Sequence, residues 1–215
     1  MPIPYMHVKY PILKIYEDRC HQCYMRLEIC ICKLIPSIDN QTFVSVIMHH
    51  RESSKTTNTA RLACMSLSNS RIFLRGLKNE PLNLTEINDD KYQSILLTLS
   101  DRSQLLTSDL VKSFKKPIQL IVPDGNWRQA NRMSKREKYL QNIPWVKLSP
   151  GAKSCYRLRH EHNPEGLSTL EAIACALSII ETPKIEEQLM TFFKIMVERT
   201  IATRPKVRVE SKDCV

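Results

Sequence analysis

Residues 118–127 read Ile118-Gln119-Leu120-Ile121-Val122-Pro123-Asp124-Gly125-Asn126-Trp127, and this stretch decides the fold. Its first five residues are apolar except for Gln119, the pattern of a strand covered on both faces. Asp124 follows almost at once, and Gly125 lets the backbone turn tightly and come close to a ligand. Asn126 offers both a donor and an acceptor. Trp127 either stacks on a base or anchors the next helix in the core. Ligands of open α/β sheets bind beyond the carboxyl ends of the strands. Ile121, Val122, Pro123, Asp124, Gly125, Asn126 and Trp127 are therefore candidate site residues. A capped turn explains Asp124 and Asn126 equally well.

Working outward, a helix is expected over Gln129–Gln141, with Ala130, Met133 and Leu140 facing inward and the basic residues outward. Strands are expected at Thr42–Met48, Arg71–Arg75 and Trp145–Leu148, while Leu96–Leu99 is ambiguous between strand and helix. Further helices are expected from Thr59, as cap, to about Leu67, and over Leu105–Phe114, Ser168–Glu181 and Glu186–Ile201. Strands that alternate with helices imply an α/β domain around a mainly parallel sheet with flanking helices. The four glycines, at 76, 125, 151 and 166, all fall in expected loops. No glycine-rich phosphate loop is present, which argues against the common nucleotide-binding folds.

Three other segments carry chemistry. Ser168-Thr169-Leu170-Glu171 fits a capping box, and the same helix start can also hold a carboxylate or a ribose. Tyr156-Arg157-Leu158-Arg159 opens a polar loop. His49-His50-Arg51-Glu52 closes the first strand, and its histidines read as loop residues, since no nucleophile or second metal ligand accompanies them.

Four of the eight cysteines, Cys20, Cys23, Cys30 and Cys32, fall within thirteen residues as C-x2-C-x6-C-x-C. Four thiolates suit a closed, structural Zn2+ site. A pair of disulfides and an iron–sulfur cluster are the alternatives. Cys64, Cys155 and Cys175 sit among apolar residues and read as core, and Cys214 as a tail thiol.

The net charge is +10, which favours a polyanionic partner. Between Arg128 and Arg159 nine basic residues face a single acid, Glu137. A solvated basic face is the plainer reading, but the cluster adjoins the candidate site. No apolar run is long enough to span a bilayer, and residues 1–10 lack the apolar core of a secretory signal. A soluble, cytoplasmic protein is expected, with no membrane association and no obligate protein partner. The expected organisation is a metal-clipped segment over 1–36, an α/β domain over 37–204 and a basic tail over 205–215.

Taken in order, the cysteine cluster, Arg51-Glu52, Asn58-Thr59-Ala60-Arg61, Asp124-Gly125-Asn126-Trp127-Arg128-Gln129-Ala130, Tyr156–Arg159 and Ser168–Ala172 resemble the DTW-domain family of tRNA-uridine aminocarboxypropyltransferases. The likeness spans about residues 19–180. One position departs from the family's D-x-T-W, because Asn126 stands where Thr is usual. The resemblance implies a SPOUT-like α/β fold with a C-terminal knot. It implies binding of S-adenosylmethionine (SAM) and transfer of its 3-amino-3-carboxypropyl group to N3 of a tRNA uridine. Asp124, Asn126 and Trp127 would then be catalytic. Ile121, Val122, Pro123, Gly125, Tyr156, Arg157, Leu158, Arg159, Ser168, Thr169 and Glu171 would line the SAM site. His49, Arg51, Glu52, Asn58, Thr59, Arg61, Arg128, Arg132, Lys135 and Arg136 would bind RNA or line the site. A non-catalytic zinc-containing RNA-binding protein and a SPOUT-type RNA methyltransferase are the competing readings.

Overall fold

Strand β5 (Ile118–Asp124) lies inside a six-stranded sheet, as its apolar run requires. The other strands are β1 (Phe43–His49), β2 (Ser70–Arg75), β3 (Gln93–Leu97), β4 (Gln104–Leu105) and β6 (Trp145–Lys147). Their order is β2-β1-β5-β3-β6-β4, and every pairing is parallel. The computed structural model describes residues 17–77, 87, 89–150, 154, 156 and 166–203.

Among the described residues six α-helices flank the sheet: α1 (Thr59–Ser66), α2 (Ser108–Ser113), α3 (Trp127–Arg136), α4 (Lys138–Gln141), α5 (Thr169–Ile180) and α6 (Pro183–Ala202). Side chains alternate along the strands and so serve two cores. Val44, Val46 and Met48 of β1 and Leu120 and Val122 of β5 pack against α1, α5 and α6. Ile47 and Ile121 point the other way, onto Met133 of α3 and Leu140 of α4. Gln119 shares that second face and is wholly buried. It donates to Ser45 Oγ at 2.8 Å and accepts from Ser94 Oγ at 2.6 Å, and Ser94 accepts from the Tyr139 hydroxyl at 2.7 Å. The chain of bonds ties β1, β5, β3 and α4 together, and it satisfies every polar side chain that it buries.

Several expected boundaries shift. Residues 105–114 are not one helix. Leu105 belongs to the edge strand β4, and Thr107 then caps a shorter α2 by accepting from Leu110 N. The helix expected over 129–141 starts two residues earlier and breaks at Glu137, whose carboxylate pairs with Arg75 of β2. Asn58 rather than Thr59 caps α1, accepting from Arg61 N at 2.7 Å. The amide of Asn58 reaches the third helical N–H from its extended backbone. Leu96 belongs to a strand, β3, which resolves that ambiguity. Helix α6 begins at Pro183, before the expected Glu186, because proline suits the first helical turn. Cys64 is buried as expected, whereas Cys175 is half-buried and donates to Glu186. The knot implied by the resemblance turns on the link between β6 and α5, most of which lies outside the described residues. No described helix is long and apolar enough to cross a membrane.

Candidate active site and metal centre

Strands β1 and β5 are neighbours, yet the helices that follow them leave on opposite faces, α1 to one core and α3 to the other. Such a divergence opens a crevice at the carboxyl edge of the sheet. Asp124 is the last residue of β5 and sits in that crevice, 5% exposed. β3 pairs with β5 only as far as Ile121, so the end of β5, including Pro123, projects past the β3 ladder.

Asp124 follows the parity of Leu120 and Val122 and faces α1 and α5. Its Oδ2 accepts from Asn58 Nδ2 at 2.8 Å, and its Oδ1 accepts from Thr169 Oγ1 at 2.6 Å. One carboxylate thus holds the starts of two helices that lie more than a hundred residues apart in sequence. Beside it, Ser168 and Glu171 form the expected capping box, with Ser168 N donating to Glu171 Oε2 at 2.7 Å. Ser154 Oγ donates to the same carboxylate at 2.9 Å, a contact that no motif announces. The start of α5 therefore already meets two carboxylates, its own Glu171 and Asp124 of β5. A third one there would meet like charge, so the start of α5 is a poor seat for a substrate carboxylate.

Asn126 caps α3. Its Oδ1 accepts from Gln129 N at 3.0 Å, while Gln129 Oε1 accepts from Asn126 N at 2.8 Å. This capping box was legible in the spacing of Asn126 and Gln129. A Cβ on Gly125 would lie 2.9 Å from Gln129 Cβ, so only glycine lets the box close. Trp127 is 59% exposed and does not anchor the helix in the core, because α3 turns Met133 inward instead.

The segment after β1 folds back on itself. Glu52 is buried and pairs with Lys55 at 2.7 Å. Arg61 is also buried, donating to Ser53 O at 2.6 Å with its guanidinium 4.2 Å from the Tyr24 ring centre. Glu52 and Arg61 therefore brace this loop and do not present charge to solvent. Thr59 is buried beside Asn58. The Tyr156 hydroxyl donates to Thr57 O at 3.2 Å, and its ring packs 5.3 Å from Phe193. Arg157, Leu158 and Arg159 lie outside the described residues.

His49, His50, Arg51, Asn126, Arg128, Gln129 and Arg132 line a cleft of about 370 Å3 beside the crevice. His50 and Gln129, named in the sequence motifs but not among the candidate site residues, also line it, and the ring of His50 lies tilted against that of His49 at 4.7 Å. Burial lowers the His49 pKa, and the neighbouring His50 and Arg51 lower it further. Lys135 and Arg136 are exposed farther along α3.

The four clustered cysteines meet as expected, with all four sulfurs within 4.8 Å of one another. Cys20 and Cys32 are 3.4 Å apart and Cys23 and Cys30 3.8 Å. A tetrahedron with Zn–S bonds of about 2.3 Å has edges of about 3.8 Å, so the set fits Zn2+. Disulfides need sulfurs about 2.05 Å apart, which excludes that alternative here. Burial pushes the Cys20 thiol up, but backbone N–H groups of Cys23 and Gln22 outweigh it and bring it down to about 7. The clip packs on the main core through Cys23, Met25 and Ile31, and Arg199 of α6 donates to Cys30 O at 2.7 Å.

A parallel sheet with a braced carboxylate at its switch point, a basic cleft beside it and a four-thiol clip defines an α/β protein with a candidate site at the sheet's carboxyl edge. The chain belongs to the DTW-domain family, whose model matches residues 17–201. It is similar to tRNA-uridine aminocarboxypropyltransferase 2 of Macaca fascicularis, 26% identical over 181 residues that cover 81% of this chain and 60% of that protein. The Mus musculus protein of the same name is 27% identical over 181 residues, with the same shares covered. The chain thus spans about 60% of the length of these two relatives. A solved structure, the SAM-dependent rRNA:acp-transferase of Vulcanisaeta distributa, is similar over 76% of this chain and 80% of that one, with a TM-score of 0.49 and 18% identity.

Proposed function

We propose that the protein is a cytoplasmic transferase that moves the 3-amino-3-carboxypropyl group of SAM to N3 of a tRNA uridine. The observation that carries this reading is the meeting of the family's separated motifs at one carboxylate: Asn58, Asp124 and Thr169 are joined by direct hydrogen bonds. The names of the curated relatives support the same chemistry.

In the reaction the bond between the sulfonium and the propyl carbon breaks, the N3–carbon bond forms, the N3 proton passes to solvent water and methylthioadenosine departs. Three carbons of the sulfonium are open to attack, so orientation selects the product. The crevice between the starts of α1, α3 and α5 supplies rigid walls for that orientation. With Glu171 and Asp124 already at the start of α5, cationic side chains are the better seat for the carboxylate of SAM, and Arg157 and Arg159 are the candidates. Asp124 already accepts two hydrogen bonds, which favours an orienting role over proton abstraction.

The test is incubation of tRNA with protein and SAM, followed by mass analysis of the nucleosides. An aminocarboxypropyl addition with methylthioadenosine as by-product is expected. A methyl addition with S-adenosylhomocysteine would replace this reading with a methyltransferase. An unchanged tRNA without measurable SAM binding would leave a zinc-containing RNA-binding protein.

A further inference from the structure

Among the described residues Tyr24 alone, glycine apart, has a left-handed backbone, with φ at 60°. The turn of the thiol clip demands that conformation: Tyr24 N donates to Cys20 O at 2.9 Å, and Cys20 N to Met25 O at 2.8 Å. Glycine enters the left-handed region at no steric cost, whereas a residue with a Cβ is disfavoured there. The chain nevertheless sets a tyrosine at the turn, and its half-buried ring lies 4.2 Å from the Arg61 guanidinium. Arg61 is only 3% exposed, and a cation shielded from water gains most from an aromatic face.

That arginine holds the loop beside the crevice. It donates to Ser53 O at 2.6 Å and to Lys55 O at 3.3 Å, and its backbone N–H fixes Asn58 by donating to Oδ1 at 2.7 Å. Two contacts run from the same loop into the candidate site. Asn58 Nδ2 donates to Asp124 at 2.8 Å, and Thr57 O accepts from the Tyr156 hydroxyl at 3.2 Å. We propose that Tyr24 is a positioning residue: through Arg61 it sets residues 53–58, and with them the orientation of Asp124 and Tyr156. The thiol clip then shapes the site as well as stabilising the fold. The inference rests on the reading that SAM binds in this crevice, and it gives the clip a part in that binding. Small displacements remote from the reacting atoms are enough to matter, since about 1 Å can cost about a hundredfold in rate.

Tyr24→Gly removes the ring while easing the backbone, so the clip is expected to keep its zinc at full stoichiometry by elemental analysis. In the zinc-loaded, full-length variant, amide hydrogen exchange over residues 53–61 is expected to rise about tenfold and the Kd for SAM, by calorimetry, to rise about tenfold. Exchange in β5 and α6 should stay parental. Tyr24→Phe keeps the ring and is expected to restore both quantities. Tyr24→Leu keeps apolar bulk without a π-face; it is expected to behave as the glycine variant does, and it carries the test if that variant loses zinc. Leu27→Ala, at an exposed position of the same clip, is expected to match the parent. Parental exchange over residues 53–61 in a zinc-loaded Tyr24→Gly or Tyr24→Leu overturns the proposal. So does raised exchange with SAM binding unchanged, which would leave the ring a purely structural contact. A parent that binds no SAM sinks the SAM reading instead, and the exchange data still decide whether Tyr24 sets the loop.

Discussion

Asp124 is a brace before it is anything else. Its carboxylate joins the cap of α1 to the first residue of α5, and Asn58 is fixed in orientation because its Oδ1 is occupied by Arg61 N. Asp124→Asn can keep both contacts, with its oxygen toward Asn58 and its amide donating to Thr169 Oγ1. We expect it to cost about 1 kcal/mol, whereas Asp124→Ala strands the buried Asn58 amide and the half-buried Thr169 hydroxyl and costs about 2–3 kcal/mol, both measured by denaturant unfolding. The pair separates structure from chemistry: Asp124→Asn turning over at the parental rate would remove its charge from the mechanism. Asn126 explains the departure from the family's threonine, because an N-cap needs an acceptor oxygen and both residues supply one. Asn126→Thr is expected to unfold within about 0.5 kcal/mol of the parent, and Asn126→Ala about 1 kcal/mol lower. A larger penalty for threonine would show that the amide does more than cap.

At the scale of elements, the sheet owes its strand order partly to one buried glutamine. Gln119 links β1 to β3 across β5, and Tyr139 closes the chain from α4. Gln119→Ala leaves Ser45 and Ser94 without that partner and is expected to cost about 2–4 kcal/mol in chemical denaturation, more than a cavity of that size in an apolar site. The clip is a second element with a clear dependence. Cys23 lies deepest of the four sulfurs, and Met25 and Ile31 beside it join the main core. Cys23→Ser is expected to lose bound zinc, measured by elemental analysis, and to lower the Tm. Chelation of the parent protein should lower the Tm in the same direction. Sulfur-bound zinc retained at full stoichiometry in Cys23→Ser would rule out four-thiolate coordination.

For the molecule as a whole, pH should act through the cleft. Burial, together with His50 and Arg51, holds His49 below its usual pKa. Glu52 pulls the other way, Arg75 adds to the lowering, and Arg128 and Arg132 face the histidine from α3. The folded state therefore binds this proton less readily than the unfolded chain. The stability contributed is full above an unfolded pKa of about 6.5 and fades as the pH falls through the lowered folded value. RNA binding should respond oppositely, tightening as the pH falls from 7.5 toward 5.5, since a phosphate in the cleft favours the imidazolium. Paired denaturation and anisotropy series across that range check both signs. His49→Gln is expected to flatten both, and a parent whose RNA affinity ignores pH would exclude the histidine from RNA contact.

What the sequence determined by itself were the features written in short-range chemistry. The IQLIV run meant a doubly covered strand, because it is short, rich in β-branched residues and closed at once by Pro123 and Gly125. The cysteine spacing meant a metal clip, and Ser168 to Glu171 a capped helix, because their partners lie within a few residues or a few turns. The tertiary structure alone decided what distant residues do to one another. It turned Arg61 and Glu52 from surface charges into buried braces and put Trp127 outside. It gave Asp124 to two helices at once, and it gathered His50 and Gln129 with three arginines into one cleft. Those outcomes depend on which faces of β1 and β5 the helices cover, and side-chain alternation along a strand does not say which helix arrives.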